Sequence, residues 1–271
     1  MSKPLMDIMQ AIDKVFAPCL GDLRIWRNWF TLLKAMFGIS LDRDEKKVFR
    51  KVAKRKPGGP FREVFIIAGR RSGKSFITSL VAIFLALFFD YRPYLKAGER
   101  GVIQILAVDR AQARVIFNYI CGILNSTDIL RQYVIKELTE RIELKTNVDI
   151  EVATCSYKAI RGRTVVACLC DEIAFWDVEG KNPDKEVITA IRPSMGTIPT
   201  SKLICLSTPY AKRGVLYDAF ERSFGRDDPD TLVIQAESLL LNPTRRVDAP
   251  VSRRNPHRPH RADFPQWVPQ A

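Results

Sequence analysis

The chain has 271 residues, of which 46% are hydrophobic and 27% are charged, so it is long enough to bury a sizeable core. Its net charge of +13 at pH 7 favours a polyanionic partner, although charge alone does not distinguish DNA from RNA or from an acidic protein. The six cysteines form no C-x-x-C pair, and the longest apolar run, residues 76–89, is too short to span a bilayer. These features exclude a zinc site and a membrane span, and we expect a soluble, intracellular protein.

Helical spacing dominates the first 60 residues. Residues 5–37 carry aromatic side chains at helical intervals and end at Gly38. Residues 42–56 form a second, strongly basic helix, which the Pro-Gly-Gly-Pro sequence of residues 57–60 stops. A basic helix is most often a solvated face, and contact with DNA is the alternative. We expect residues 1–60 to form an N-terminal helical segment.

Residues 64–75 read VFIIAGRRSGKS and contain the most informative motif. An apolar strand runs into a basic, glycine-containing turn and then into a helix that begins near Lys74, which is the context of a phosphate-binding P-loop. Ala68 stands where the usual motif has its first glycine, a change that costs little at the end of a strand. We expect Lys74 to reach the β- and γ-phosphates of ATP and Ser75 to bind Mg²⁺. The predicted nucleotide-binding residues of the loop are Gly69, Arg70, Arg71, Ser72, Gly73, Lys74 and Ser75.

A second motif follows a strand at residues 102–108, a helix at residues 110–124 and a hairpin at residues 141–154. The apolar sequence TVVACLC then ends in Asp171 and Glu172. Such a run is typical of a central parallel strand, whose carboxyl end lies where an α/β sheet gathers its ligand-binding groups. Asp171 is predicted to hold Mg²⁺, and Glu172 to orient and deprotonate the attacking water. The pair therefore predicts ATP hydrolysis.

A third apolar strand begins at residue 202 and ends in Ser207 and Thr208. Hydroxyl groups at a strand tip can hydrogen-bond to a γ-phosphate and lose that bond on hydrolysis, so we expect a coupling element here; a simple strand cap is the alternative. A helix at residues 185–192 precedes this strand, and a helix at residues 215–224 and a strand at residues 231–234 follow it. Strands alternating with helices predict a three-layer α/β P-loop NTPase fold with a mainly parallel central sheet, over residues 61–243.

The composition changes near Thr244. Residues 244–271 contain six arginines but only two acidic residues, with no helical or strand period, and both histidines of the chain, His257 and His260, lie there. We expect this Pro/Arg-rich tail to be disordered. Two carboxylates cannot build the acidic cluster of a two-metal nuclease, so we expect no nuclease activity from it.

The three motifs resemble those of one known family. The P-loop at residues 68–75, the acidic strand end at residues 170–172 and the Leu-Ser-Thr-Pro sequence at residues 206–209 are similar to the corresponding motifs in the ATPase domain of tailed-phage terminase large subunits. The resemblance covers roughly residues 40–243, and the arginine-rich P-loop is its most specific part. It implies an ATPase that uses ATP and Mg²⁺ to drive double-stranded DNA into a capsid.

Two arginines take their expected roles from this resemblance. It implies that Arg70 contacts the phosphates, and that Arg161 is offered to the nucleotide of a neighbouring subunit, with Arg163 as the competitor for that role. A guanidinium group at such a position neutralises charge on the transferred phosphoryl group. The resemblance also implies a homo-oligomeric ring in the bacterial host cytoplasm, with the phage portal and the small terminase subunit as partners.

The expected tail departs from the family, whose members carry a C-terminal nuclease domain. A truncated or frame-disrupted prophage gene would produce such a chain. Besides the packaging motor, two alternatives stay open. One is a non-motor remnant that binds nucleotide or DNA, and the other is a helicase-like DNA translocase.

Overall fold

The computed structural model describes residues 4–155, 162–176 and 183–244. The N-terminal segment is helical as predicted, with breaks at a π-helical turn, Ile12–Phe16, and a 3₁₀ turn, Leu23–Trp26. The basic helix begins where Asp42 and Glu45 form a reciprocal capping box, and it ends at Lys54, which takes a left-handed conformation. The four helices of the segment are α1 (Ile8–Ala11), α2 (Ala17–Leu20), α3 (Arg27–Met36) and α4 (Arg43–Ala53).

The centre of the molecule is an eight-stranded sheet in the order β3-β4-β5-β2-β6-β7-β1-β8. The six strands from β5 to β8 in this order are mutually parallel, whereas β3 and β4 form an antiparallel edge. The strands are β1 (Glu63–Ala68), β2 (Gly101–Ala107), β3 (Val134–Glu137), β4 (Arg141–Leu144), β5 (Val148–Thr154), β6 (Thr164–Asp171), β7 (Lys202–Ser207) and β8 (Thr231–Ala236).

Helices cover both faces of this sheet. Along β1, Val64 and Ile66 face one hydrophobic core, and Phe65 and Ile67 face the other, as the two-residue period of a strand requires. The first core includes the N-terminal helices, α5 and α6, while the second is closed by α8 and α9. The predicted three-layer α/β fold is therefore confirmed. The remaining helices are α5 (Lys74–Phe88), α6 (Arg110–Leu124), α7 (Asp128–Arg131), α8 (Pro183–Ser194), α9 (Gly214–Ser223) and α10 (Ser238–Leu241).

From Leu80 to Phe88, helix α5 is apolar on all sides, and each of these residues is buried. The sheet lies under it, and the N-terminal helices cover it through aromatic contacts such as Phe16 with Phe88, whose ring centroids are 6.1 Å apart, and Phe37 with Phe84, at 5.1 Å. A helix without a polar face is expected only in such a buried position. No helix in the described ranges is long and apolar enough to cross a membrane.

The strand order brings the three sequence motifs to one edge of the sheet. Strand β7 lies between β6 and β1, and the register pairs Asp171 with Leu206 and Ile67 with Ser207. All three strands run parallel, so their carboxyl ends point the same way. The tip of β7 therefore separates the acidic pair from the P-loop. The predicted disordered tail lies outside the described residues beyond Thr244.

Candidate nucleotide-binding site

The turn between β1 and α5 has the backbone of an anion-binding loop. Arg71 and Gly73 have φ angles of 60° and 90°, in the left-handed region, and Gly73 caps α5. Alternation of left- and right-handed residues turns successive N–H groups toward one concave side. Gly73 is also required by space, because a Cβ atom there would lie 2.8 Å from the ring of Trp26.

Two segments that are distant in sequence hold this loop, and we call residues 26–29 and 238–242 together the loop clamp. From α3, the indole Nε1 of Trp29 donates a hydrogen bond of 2.7 Å to the carbonyl oxygen of Ser72. From the end of α10, Asn242 Nδ2 donates one of 2.9 Å to the carbonyl oxygen of Arg71. Asn28 Nδ2 joins the two segments through a 2.6 Å bond to the carbonyl oxygen of Leu240. The sequence analysis did not predict that these two segments contact the P-loop.

The side chain of Lys74 is buried in the centre of the site. Its Nζ donates hydrogen bonds to the carbonyl oxygens of Ala68, at 3.0 Å, and Gly69, at 3.2 Å, and to Thr208 Oγ1, at 3.1 Å. It also lies 3.4 Å from Glu172 Oε1. Lys74 therefore links the P-loop to the tip of β7 and to the acidic pair.

Asp171 is fully buried at the end of β6. Its Oδ2 accepts hydrogen bonds from Gln112 Nε2, at 2.7 Å, and from Ser75 Oγ, at 3.3 Å, while its buried Oδ1 has no hydrogen-bond partner among the described residues. Burial raises the pKa of Asp171, opposed by the hydrogen bond from Gln112, and the neighbouring carboxylate of Glu172 raises it further. An orphaned carboxylate oxygen beside a serine hydroxyl fits a divalent cation such as Mg²⁺, which prefers oxygen ligands.

Glu172 is tied to the predicted coupling element. It has a φ angle of 51°, a left-handed conformation that costs free energy for a residue with a long side chain. Its Oε2 accepts hydrogen bonds from Ser207 Oγ, at 3.1 Å, and from the backbone N–H of Thr208, at 2.9 Å. The half-buried carboxylate is thus held by the tip of the neighbouring strand and paired with Lys74. A change at this tip acts directly on Glu172.

The structure brings most of the predicted site residues together. Gly69 to Ser75 form the loop and the start of α5, and Asp171, Glu172, Ser207 and Thr208 converge on Lys74 and Ser75. Gln112 joins them from the first turn of α6, and no pattern in the sequence identified it.

Arg70 and Arg163 are not part of this hydrogen-bonded cluster. Arg70 is exposed, and within the described ranges it makes no hydrogen bond or ion pair. Arg161 lies outside the described residues. Arg163, the competitor for its role, is exposed and forms an ion pair of 2.6 Å with Glu151.

A comparison with known protein families identifies one family. The family model "Terminase large subunit, ATPase domain" matches residues 49–226, which is more than half of the chain. No curated protein sequence matches the chain.

Two solved structures are similar in fold. The large terminase of HK97 bacteriophage has a TM-score of 0.57 and 19% identity, over 90% of this chain and 48% of that one, so this chain spans about half the length of that protein. A mutant of the large terminase ATPase domain from Thermus Phage P74-26 has a TM-score of 0.52 and 16% identity, over 78% of this chain and 86% of that one. At such identities the similarity shows the fold, and it agrees with the α/β sheet described above. With the P-loop, the acidic pair and the intervening strand tip in place, the matched family model shows that the chain belongs to the family of terminase large subunit ATPase domains.

Proposed function

We propose that this chain is the ATP-hydrolysing motor domain of a phage DNA-packaging terminase, coupling hydrolysis to the translocation of double-stranded DNA. The observation that carries the proposal is the convergence of five side chains, each within hydrogen-bond or ion-pair distance of another. Lys74 Nζ lies 3.1 Å from Thr208 Oγ1 and 3.4 Å from Glu172 Oε1, and Ser75 Oγ lies 3.3 Å from Asp171 Oδ2. Binding, metal coordination, proton transfer and coupling each have a residue in this cluster.

Each residue has a role that follows from its chemistry. Bound ATP with Mg²⁺ supplies the phosphoryl group and the cation that neutralises charge on its oxygens. Lys74 and the loop N–H groups bind the phosphates, and Ser75 and Asp171 hold the cation. Glu172 orients a water molecule and accepts its proton. Arg70 reaches the phosphates from the exposed side of the loop, and Arg161 acts on the nucleotide of the next subunit in a homo-oligomeric ring.

Ser207 and Thr208 couple the state of the nucleotide to the protein. Both hydrogen-bond to Glu172, and Thr208 also accepts from Lys74. A γ-phosphate that draws Lys74 away removes one of the contacts of Thr208, so the tip of β7 has different partners before and after hydrolysis. We propose this strand tip as the origin of the mechanical step.

The exposed face of α4 supports DNA as the partner. Lys46 and Arg50 are exposed on α4 four residues apart, about 6 Å along the helix axis, and the exposed Lys54 follows at the C-cap, where its left-handed backbone ends the helix. None of them forms an ion pair within the described part of the chain. Such a row suits the phosphate backbone, which is bound through charge without reading the bases.

The family supports the remaining parts of the proposal. The phage portal and the small terminase subunit are the proposed partners, and the bacterial host cytoplasm is the proposed location. The two alternatives are a non-motor remnant that binds nucleotide or DNA, and a helicase-like DNA translocase.

Steady-state ATP hydrolysis with and without duplex DNA tests the proposal. We expect magnesium-dependent hydrolysis that duplex DNA stimulates and that Glu172→Gln lowers by about 100-fold or more. A hydrolysis rate that duplex DNA does not change would favour the non-motor remnant. ATP-driven strand separation would favour the helicase-like translocase. A protein that binds no nucleotide would contradict the proposal.

A further inference from the structure

Gln112 is the polar residue of the site to which no role has been given so far. It lies in the first turn of α6, where the side chain of Asp109 caps the helix by accepting a 2.8 Å hydrogen bond from the backbone N–H of Gln112. Helix α6 follows β2, the strand that pairs with β6 on the side opposite β7. The cap fixes the backbone of Gln112 near the carboxyl end of β6, so its side chain reaches Asp171 and Ser75 from the helix that follows β2.

The amide group of Gln112 bridges the two predicted metal ligands. Its Nε2 donates to Asp171 Oδ2 at 2.7 Å and to Ser75 Oγ at 3.4 Å, and Ser75 Oγ is itself 3.3 Å from Asp171 Oδ2. The bond to Oδ2 fixes the rotation of a fully buried carboxylate. It also leaves Oδ1, which has no hydrogen-bond partner among the described residues, as the oxygen available to a cation.

We propose that Gln112 is a positioning residue that orients Asp171 and Ser75 for the divalent cation of the nucleotide complex. The inference rests on the proposed function, because it assigns a role toward the cation that this function requires. Replacing a residue that orients metal ligands through hydrogen bonds typically lowers metal affinity by about 10- to 100-fold. Gln112 donates hydrogen bonds to the ligands and does not itself bind the metal.

A purely structural role makes a different prediction. If the amide only satisfies a buried carboxylate, its removal lowers thermal stability but leaves the effect of Mg²⁺ on nucleotide binding as it was. If it orients the ligands, its removal raises the free Mg²⁺ concentration needed for tight nucleotide binding. The affinity in the absence of the metal then stays the same, because the side chain of Gln112 contacts the loop at Ser75 Oγ, a predicted metal ligand, and not at Lys74.

Gln112→Met separates these cases, since methionine keeps the length of the side chain and removes the donor. The measurement is the affinity of a fluorescent ATP analogue, first in excess EDTA and then over a range of free Mg²⁺ concentrations, together with the melting temperature. We expect the half-saturating Mg²⁺ concentration to rise by about 10- to 100-fold, with affinity in EDTA unchanged. Gln112→Ala is expected to give the same loss if methionine fits poorly. Gln132→Met, at an exposed glutamine, is the matched control.

Three outcomes would count against the inference. A Gln112→Met protein with a lowered melting temperature but the Mg²⁺ dependence of the parent would overturn the positioning role alone. Equal loss of affinity with and without Mg²⁺ would place Gln112 in phosphate binding and would also overturn it. A parent protein whose nucleotide binding shows no Mg²⁺ dependence would overturn both this inference and the proposed function.

Discussion

The indole N–H of Trp29 and the carbonyl oxygen of Ser72 form a hydrogen bond of 2.7 Å that ties helix α3 to the middle of the P-loop. Both residues are buried, so neither group can exchange this partner for bulk water. A buried carbonyl left without a donor costs about 1–3 kcal/mol. The conformation of the phosphate-binding loop therefore depends on a residue 43 positions before it in the chain.

Trp29→Phe tests this dependence. Phenylalanine keeps most of the ring packing but removes the donor, so the loop loses part of its preorganisation and nucleotide affinity falls by about three- to tenfold, the equivalent of roughly 1 kcal/mol. Equilibrium binding of a fluorescent nucleotide gives the affinity. Phe16→Leu, in the same core but away from the loop, controls for lost stability. Equal affinities in Trp29→Phe and the parent would contradict the role of the hydrogen bond.

Glu172→Gln is expected to separate binding from chemistry. The amide oxygen can still accept from the backbone N–H of Thr208, but the amide cannot take a proton from water. We expect nucleotide affinity close to that of the parent and turnover lower by about 100-fold or more. Single-turnover hydrolysis measures the chemical step, and Glu186→Gln, at an exposed position on α8, provides the control. Parent-like hydrolysis by Glu172→Gln would remove Glu172 as the base.

Lys74→Ala is expected to impair nucleotide binding, the step that precedes hydrolysis. Lys74 is the buried cation of the site, and its loss leaves the phosphates without that charge. Nucleotide binding itself should weaken, which an equilibrium titration would measure directly. An unchanged dissociation constant would contradict its contact with the phosphates.

The exposed cations of α4 and its C-cap lead to a quantitative prediction about DNA binding. Replacing Lys46, Arg50 and Lys54 together with glutamine removes up to three phosphate contacts. The slope of the logarithm of duplex affinity against the logarithm of salt concentration should then decrease in magnitude by about 2.7. A variant with Lys96, Lys136 and Lys145 replaced by glutamine loses the same charge from other exposed positions and is the control. Equal slopes in the two triple variants would show that α4 contributes only general charge.

The fold follows from the sequence wherever apolar patterning is strong. Strands β1, β6 and β7 are uninterrupted apolar runs, and α5 is an apolar run too long for a strand, so these four elements are predictable. Strand β3 is not, because its side chains are mostly exposed and only its pairing with β4 defines it. The P-loop and the acidic pair are predictable because each is contiguous in the chain. Gln112 and Trp29 are not, since their importance comes from partners 59 and 43 positions away.

Because Lys202 is buried at the amino end of β7, we predict an unusual dependence of the free energy of unfolding on pH. Its Nζ donates a 2.6 Å hydrogen bond to the carbonyl oxygen of Phe61 and lies 5.1 Å from the ring centroid of Phe37. Burial, assisted by the nearby charge of Arg62, lowers the pKa of Lys202 from 10.5 to about 8. Between these two values the unfolded chain holds a proton that the folded chain lacks, so the contribution of Lys202 to stability rises with pH.

Lys202→Met isolates this contribution. Below a pH of about 8 the parent carries the full cost of the buried charge, roughly 3 kcal/mol, offset in part by its hydrogen bond, and above about 10.5 that cost is gone. The free energy of unfolding of the parent, measured by urea denaturation, should therefore approach or exceed that of the variant as pH rises through this window. Parallel pH profiles for the two proteins would contradict the assignment.

The loop clamp bears on how much of the chain a fragment must contain to keep the P-loop in place. The matched family model covers residues 49–226, yet the groups that hold the P-loop come from residues 26–29 before it and residues 238–242 after it. Cutting the polypeptide at the boundaries of the match would keep all three sequence motifs and discard the groups that hold the P-loop. Recombinant fragments designed for crystallisation or inhibitor screening should begin before Trp26 and extend past Asn242. Homologues with different flanking sequences would need another means of bracing the same loop.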